Sequence, residues 1–540
     1  MAWIFVFVAT GCIFSVGCLN KGCKRIPKGL FMLKSILRTA AVAASFSMVS
    51  LSAGVSPVQA ETLPTANEMF AKMGFGINIG NTMEVPVNPT WWGNKFPTEA
   101  YIDSIKAAGF STVRIPCAWY SHSNAMSRDS STTDIVPGGG PNEIAASWMD
   151  SVQTVVDMCM RAGLVTILNI HWDNGWLEGK LNDTDKDAVN ARQKDFWTQI
   201  ASHFKNYNEN LLFASANEPA TTDANYKHET EILMTYHQTF VDAVRATGGN
   251  NGSRTLIIQG PSTSIDRTSE VMPVNKLPKD VVENRLMVEV HFYDPYTYTL
   301  LNDVVDWGAQ VYPQYYWGTE DLATGEDIVH NCGYNAWAGA MGDPCTSAQI
   351  QDQFGKMKKN FVDKGVPVII GEFGANDRVE VLTGDKYAKH RKGRLAYYDA
   401  VMKLAKENKV VPIAWDTGHE GENNMTIIRR QTDPDGSVFD MDILNIMRNA
   451  YGLGDYVNNG ITHIEDFGGP TGIVAATPAR VNLGRIVRVG NRLESDSDIA
   501  LFDMNGALVR RGTRSLSLEN LPLGIYFAKS RGDLIKVNVR

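Results

Sequence analysis

The sequence predicts an α/β protein, a (β/α)₈ barrel followed by a small all-β module. Three observations carry this. Between Gly74 and Gly418, eight short apolar runs alternate with amphipathic stretches or long connections, as parallel strands buried on both faces and linked by helices do. The ends of these runs collect polar and aromatic residues, namely Arg114, Asn169, His171, Asn217, Glu218, His291, Tyr293, Glu372 and Trp415. In a barrel those C-terminal ends share one face, where active sites are built. From Ala479 the composition turns basic, with eleven Lys and Arg against six Asp and Glu, and short alternating runs replace the earlier pattern. An open doubly wound sheet is the competing architecture, but no Gly-rich phosphate turn follows the first run.

In chain order, the first sixty residues read as targeting sequence. Met32 to Arg38 is basic, Thr39 to Leu51 is apolar with small residues, and Val58-Gln59-Ala60 has the form of a cleavage site. Residues 1–60 are therefore expected to be a signal region with its true start at Met32 and cleavage after Ala60. A membrane anchor over Ala2 to Leu19 is the alternative. The expected catalytic domain is 61–456. Its strands are Gly74–Asn81, Phe110–Pro116, Leu164–Asp173, Leu211–Pro219, Arg254–Pro261, Arg285–Pro295, Val366–Gly374 and Val410–Gly418. Helices are expected at Thr98–Ala108, Trp148–Ala162, Ala188–Tyr207, His228–Thr247 and Gly393–Asn408. The connection Tyr296 to Lys364 is the longest, and holds Tyr298, Trp307, Tyr312, Tyr315, Tyr316, Trp317, Tyr334 and Trp337. Long loops are usually functional, and rings at a cleft rim suit the apolar faces of sugars, although about half of these rings would serve simply to pack the loop. Residues 457–478 read as a Gly-, Asn- and Thr-rich linker. Residues 479–540 read as a β-rich module with a tight Asn505-Gly506 turn.

A formal net charge of −8 argues against a nucleic-acid partner and is indifferent to a neutral polymer. Of seven cysteines, Cys332 and Cys345 flank a Gly-containing loop and are expected to pair in an oxidising compartment. Cys117 and Cys159 are either a pair or two buried thiols. No CxxC or HExxH pattern is present, and His419-Glu420 lacks a third ligand, so neither a metal nor another cofactor is expected.

The chemistry concentrates in two stretches. LLFASANEP (Leu211 to Pro219) is an apolar run that stops at Asn217-Glu218-Pro219, and VPVIIGEFG (Val366 to Gly374) closes on Glu372. A glutamate closing a buried strand is costly unless it is used or paired. Two carboxylates delivered by two strand ends are the parts that cleave a glycosidic bond, one as acid and one as nucleophile or base. The residues alone do not say which is which. Asn217 is placed to bond a sugar hydroxyl, and Arg114 and Tyr293 to hold a neighbouring carboxylate ionised. Singly, each has a plainer explanation: a salt-bridged glutamate, a core histidine at His171, a bracing arginine at Arg114, a packed Trp415. Asp173, Asp294 and Asp416 read as caps or hydrogen-bond anchors.

The ordered set GINIGNT (Gly76 to Thr82), VRIP, NIHWD, NEP, HFYDP, GEFG and AWDTG resembles glycoside hydrolase family 5, the clan A group of (β/α)₈ cellulases and relatives, over roughly Leu63 to Tyr456. The resemblance implies Glu218 as acid/base and Glu372 as nucleophile. It implies Arg114, His171, Asn217, His291, Tyr293 and Trp415 as the substrate-binding shell, and Trp172, next to His171, is expected to bind substrate with them. Many relatives carry His where Trp172 stands and a polar residue where Ala214 stands, which leaves the preferred polymer open. LFDMNGALVRRG and LPLGIYFAKS in the tail are similar to the sorting modules of bacterial proteins exported by type IX-like systems. The expectation is a monomeric, exported endo-β-1,4-glucanase acting on a polysaccharide. Its C-terminal module would engage export machinery or the cell surface. The alternatives are the same mechanism on xyloglucan, mixed-linkage glucan or β-mannan, and a non-catalytic carbohydrate-binding surface protein.

Overall fold

The computed structural model describes residues 63–457, except 129–134, 138 and 319–324, and then 487–489, 492–502, 508–519, 521–522, 524–530 and 533–539. The expected signal region and its alternative anchor, nearly all of the linker, and the Asn505-Gly506 turn lie outside the described residues.

Eight parallel strands close into a barrel, each paired with the next in sequence. They are β1 (Gly76–Asn78), β2 (Thr112–Ile115), β3 (Val165–Asn169), β4 (Leu211–Ala214), β5 (Leu256–Gln259), β6 (Leu286–Phe292), β7 (Val368–Phe373) and β8 (Val410–Ala414). The ring closes where Gly76 pairs Ile413 and Ile77 pairs Ala414. Each expected run ends beyond its ladder: His171, Asn217, Glu218, Tyr293 and Trp415 follow their strands, whereas Arg114, Asn169, His291 and Glu372 still lie within theirs.

The helices are α1 (Ala66–Met73), α2 (Glu99–Ala107), α3 (Ala146–Arg161), α4 (Lys186–Phe204), α5 (Tyr226–Ala246), α6 (Ile265–Val271), α7 (Tyr296–Thr299), α8 (Ser347–Asn360), α9 (Gly384–Glu407) and α10 (Met441–Ala450). Helix α1 starts on a capping box between Thr65 and Glu68. It packs Ala66, Met69 and Met73 against the inward-facing Val165, Ile167, Leu212, Ile257, Met287, Ile369 and Val411. It is tied to the loops leading into β6 and β7 through Ala66 N–H to the Asn284 carbonyl (2.8 Å) and Asn67 Nδ2 to the Gly365 carbonyl (2.9 Å). It therefore covers the barrel mouth opposite the polar strand ends. Helix α9 begins at Gly384, well before the expected Gly393. Its first turns are charged and give no apolar periodicity to read. Gly393 lies inside the helix, at a point where a Cβ would stand 3.0 Å from the Trp317 backbone nitrogen.

The long connection after β6 carries α7, two short hairpins and the disulfide Cys332–Cys345, whose Cα atoms are 5.5 Å apart. Its aromatics divide by role: Tyr298, Tyr315 and Tyr316 are buried, whereas Trp307 and Trp337 are exposed. Cys117 and Cys159 are buried and unpaired. Among the described residues no helix is long and apolar enough to cross a membrane. In the C-terminal part, β9 (Val487–Val489), β10 (Arg492–Phe502), β11 (Leu508–Ser517), β12 (Gly524–Ser530) and β13 (Asp533–Val539) form an antiparallel sheet. Leu493, Ile499, Leu501, Leu516, Leu518, Tyr526, Ala528 and Val537 pack on one another there.

Candidate active site

Arg114, at the penultimate position of β2, is the hub of the polar barrel end, and its guanidinium is wholly buried. Nη1 donates to Glu372 Oε1 (2.8 Å) and Asn78 Oδ1 (3.0 Å), and Nη2 donates to Asn217 Oδ1 (2.7 Å). Nε faces Glu289 Oε1 at 2.9 Å. A planar fork with five donors meets this fixed set of acceptors in a way a lysine cannot.

Glu372 is aimed by a β-bulge. Ile370 pairs Val290 on β6, but the next partner pair is Glu372 with His291, so Gly371 is the extra residue. Asn78 Nδ2 satisfies the carbonyls of Gly371 (2.9 Å) and Ala414 (3.1 Å) beside it. The bulge lies against Glu289: a Cβ at position 371 would stand 1.9 Å from Glu289 Oε1. Tyr293 donates its hydroxyl to Glu372 Oε2 at 3.1 Å.

Glu289 and His291 are two apart on β6 and so share one face. Glu289 accepts from Gln259 Nε2 (2.5 Å) and contacts His291 Nε2 (3.2 Å). Gln259 also accepts the Ala216 N–H (2.9 Å), fixing the turn that leads to Asn217 and Glu218. His291 Nδ1 is 2.7 Å from Glu218 Oε1 and 3.7 Å from Glu372 Oε2. Ligand atoms of Glu218, His291 and Glu372 lie within 4.8 Å of one another, so a carboxylate oxygen of each glutamate falls inside that distance. They are the one grouping of metal-ligand type among the described residues, yet both imidazole nitrogens already meet carboxylates.

The electrostatics follow from this contact map. Burial works against charge on His291, but Glu372, Glu218 and Glu289 outweigh it and hold the imidazolium up to about 10. Glu289 is pushed up by burial and pulled down further by Arg114 and His291, so it stays below the usual carboxylate range. Glu218, half-exposed to the cleft, is likewise drawn down by His291 against its desolvation. Glu372 is raised by burial, opposed by His291 and Arg114. With all groups ionised, three carboxylates face two cations, so one further proton makes the cluster neutral. That proton belongs to the coupled set rather than to any one residue.

His171 stacks on Trp415, with ring centroids 5.8 Å apart and planes 12° off parallel. Burial, with Arg114 and His291 nearby, drives His171 well below its ordinary range, so it is neutral. Trp172 is 54% exposed. It leads into a turn in which Asp173, Asn174 and Gly175 all have positive φ. Asp173 anchors that turn by accepting the N–H groups of Trp119 (2.6 Å) and Ser121 (3.0 Å). Asp416 anchors the loop after β8 similarly, through Ile427 and Ile428.

The structure thus joins Arg114, Asn217, Glu218, His291, Tyr293 and Glu372 in one hydrogen-bonded network, with His171 and Trp415 as a stacked pair and Trp172 at the rim. Sequence reasoning missed Glu289, Gln259, Asn78 and Glu178. Glu289 had a signal, a charge inside an apolar strand in step with His291. Glu178 had none: it is buried in a loop and accepts the Glu218 N–H at 2.6 Å, and burial together with Glu218 pushes it up to about 8. A cavity of about 320 Å³ opens beside the pair, lined by Glu218, Tyr293, Glu372 and Trp415 and by residues from three loops.

Residues 76–421 match the family Cellulase (glycosyl hydrolase family 5). The chain is 35% identical over 372 residues to a xyloglucan-specific endo-β-1,4-glucanase of Bacteroides ovatus, covering 66% of this chain and 65% of that protein's length. It is 31% identical over 393 residues to endoglucanase A of Paenibacillus barcinonensis, covering 68% of this chain and 86% of the relative. A solved xyloglucan-specific β-1,4-glucanase from a ruminal metagenomic library, in complex with XXLG, aligns with a TM-score of 0.61 and 35% identity, over 73% of this chain and 98% of that one.

Proposed function

Because this chain belongs to glycosyl hydrolase family 5, we propose that it is a retaining endo-β-1,4-glucanase with Glu372 as nucleophile and Glu218 as acid/base. One observation supports this above all: oxygens of the two carboxylates lie within 4.8 Å of one another at the ends of β4 and β7. Retention needs carboxyl groups about 5–5.5 Å apart, whereas inversion needs about 6.5–9.5 Å to admit a water.

Arg114 and Tyr293 bond Glu372 and favour its ionised form as nucleophile. Glu218 does not have to hold its own proton before the substrate binds, because His291 Nδ1, 2.7 Å from its Oε1, carries one. Glu372, 3.7 Å from the same ring nitrogen, is one of the charges that hold that proton. As Glu372 is neutralised by forming the glycosyl bond, His291 loosens its hold just when Glu218 must protonate the leaving oxygen. In the second half-reaction Glu218 takes a proton from the water that attacks the glycosyl-enzyme and passes it back to His291, which restores the starting charge. The stacked His171–Trp415 pair and Trp172 offer faces for backbone glucosyl rings.

Xyloglucan is the favoured substrate among the alternatives, since the Bacteroides ovatus relative and the ruminal structure both carry that specificity in their names. We further propose that residues 1–60 direct export and that the C-terminal β module, from about 479, serves sorting or surface attachment. Amino-terminal sequencing of the secreted form tests the former.

The mechanism is tested by proton NMR of the first product formed. The β-anomer is expected to appear before mutarotation; the α-anomer appearing first would overturn the retaining assignment.

A further inference from the structure

The catalytic chemistry leaves one side of the cavity unused. Beyond Glu218, Tyr293, Glu372 and Trp415, its lining is Leu300 and Asn302 from the connection after β6, Asn376 after β7, and Thr417, Asn423 and Met425 after β8. Three amides from three loops converge there, and one arginine orders them. Arg378 is 1% exposed and lies behind this wall. Its Nη1 donates to Asn302 Oδ1 (3.0 Å) and to Asn423 Oδ1, and its Nη2 donates to the Leu301 carbonyl (2.6 Å). Asn376 Nδ2 donates to Asn302 Oδ1 (2.7 Å) and more weakly to the Leu300 carbonyl (3.3 Å).

A guanidinium has only donors, so the amide oxygens of Asn302 and Asn423 must face it. Their NH₂ groups are then left for the cavity, while Asn376, with its NH₂ spent on Asn302, has its oxygen to offer. Asn423 is held in the left-handed region at φ 59°, and its N–H donates to the Asp377 carbonyl at 2.8 Å. A non-glycine residue kept there by its surroundings is a common feature of ligand clamps.

The geometry points to this bay as the receptor for one uncharged sugar substituent carried on a β-1,4-glucan backbone. Asn302, Asn376 and Asn423 are its hydrogen-bonding groups, and Arg378 is the residue that positions them. The inference rests on the glucanase function proposed above. Backbone glucosyl rings stack on aromatic faces, and of the lining residues beyond the catalytic contacts only Trp415 offers an indole. The rest of the bay is amides, a hydroxyl and two aliphatic side chains, a lining for a hydroxyl-rich unit that enters from the side. Asn302 is exposed, so the bay is open at the rim. The Arg378 charge is spent on amide oxygens behind the wall, so an acidic substituent would meet the two catalytic carboxylates without a facing cation.

The test compares kcat/KM on xyloglucan with kcat/KM on mixed-linkage β-glucan for the full chain and for Asn302→Asp and Asn302→Ala. Asn302→Asp keeps an acceptor for Arg378 and replaces the donor that faces the bay with a charge, whereas Asn302→Ala removes the donor without adding one. Thermal unfolding of both variants confirms that they fold. The xyloglucan-to-β-glucan ratio is expected to fall tenfold or more in each. A ratio unchanged within twofold in folded variants of an active enzyme would overturn the bay while leaving the glucanase function standing. Wild-type chain inactive on both polymers would overturn the glucanase function and this inference with it.

Discussion

Gly371→Ala is expected to cripple the site without touching either proposed catalytic glutamate. The added methyl group would stand 1.9 Å from Glu289 Oε1, 2.6 Å from its Cδ and 2.8 Å from its Cγ, so Glu289 has to swing away. In doing so it gives up Gln259 (2.5 Å), Arg114 (2.9 Å) and His291 (3.2 Å). Breaking a buried ion pair typically costs about 3–5 kcal/mol, and that is the loss expected in chemical denaturation. Activity is expected to drop at least a hundredfold, because Arg114 and His291 are also the groups that hold Glu372 and Glu218. The clash is specific, so a double-mutant cycle isolates it. In a Glu289→Ala background the same glycine substitution is expected to cost under about 1 kcal/mol, the usual size of a change with no named mechanism behind it. An equal cost in both backgrounds, or a single variant as stable and active as wild type, would refute this account of the bulge.

Glu84 is buried near Arg430, accepts the Asn81 and Thr82 N–H groups, and is pushed by burial up to about 7. A carboxyl raised in the folded state stabilises most below its unfolded value and loses that contribution as pH climbs through the folded one. Wild type is therefore expected to lose up to about 3 kcal/mol between pH 4.5 and 7 at this group. Glu84→Gln should flatten the melting temperature across that range; an unchanged slope would contradict it. Glu178 is pushed up to about 8 and so is uncharged at neutral pH and below; Glu178→Gln keeps an acceptor for the Glu218 N–H and is expected to leave kcat/KM there unchanged. Only above about pH 8 does wild type gain a charge beside Glu218 that the variant lacks, so profiles that already differ at about pH 6 would count against it. The disulfide closes a loop with a sequence separation of 13, a constraint worth about 3 kcal/mol. Replacing both Cys332 and Cys345 with serine is expected to speed proteolysis within 296–345 while sparing the barrel. Cleavage at the wild-type rate would mean the staple holds nothing.

What could be seen in the sequence and what could not divide along physical lines. The barrel was visible because eight buried strands leave eight apolar runs. Glu218 and Glu372 stood out because a charge closing such a run has few structural excuses. Glu289 sits inside its strand, where the apolar neighbours mask it. Gly371 lies unmarked inside the expected strand Val366–Gly374, yet it is a bulge fitted against a carboxylate. Helix α9 was seen only in part, since its charged first half carries no periodicity. The amides of the side bay come from positions 302, 376 and 423, and only the closed barrel brings their loops together, so no local pattern marks them. Glu178 reaches Glu218 in the same way, across two loops.

The central claim is that Glu372 forms the covalent bond while Glu218 moves the proton. A 2-deoxy-2-fluoro-β-cellobioside with an activated leaving group slows release of the intermediate enough for it to be trapped. Peptide mass spectrometry of the trapped protein is then the most direct test. The label is expected on the peptide containing Glu372, with Glu218 unmodified. A label on Glu218, or turnover with no covalent adduct on either glutamate, would contradict the account.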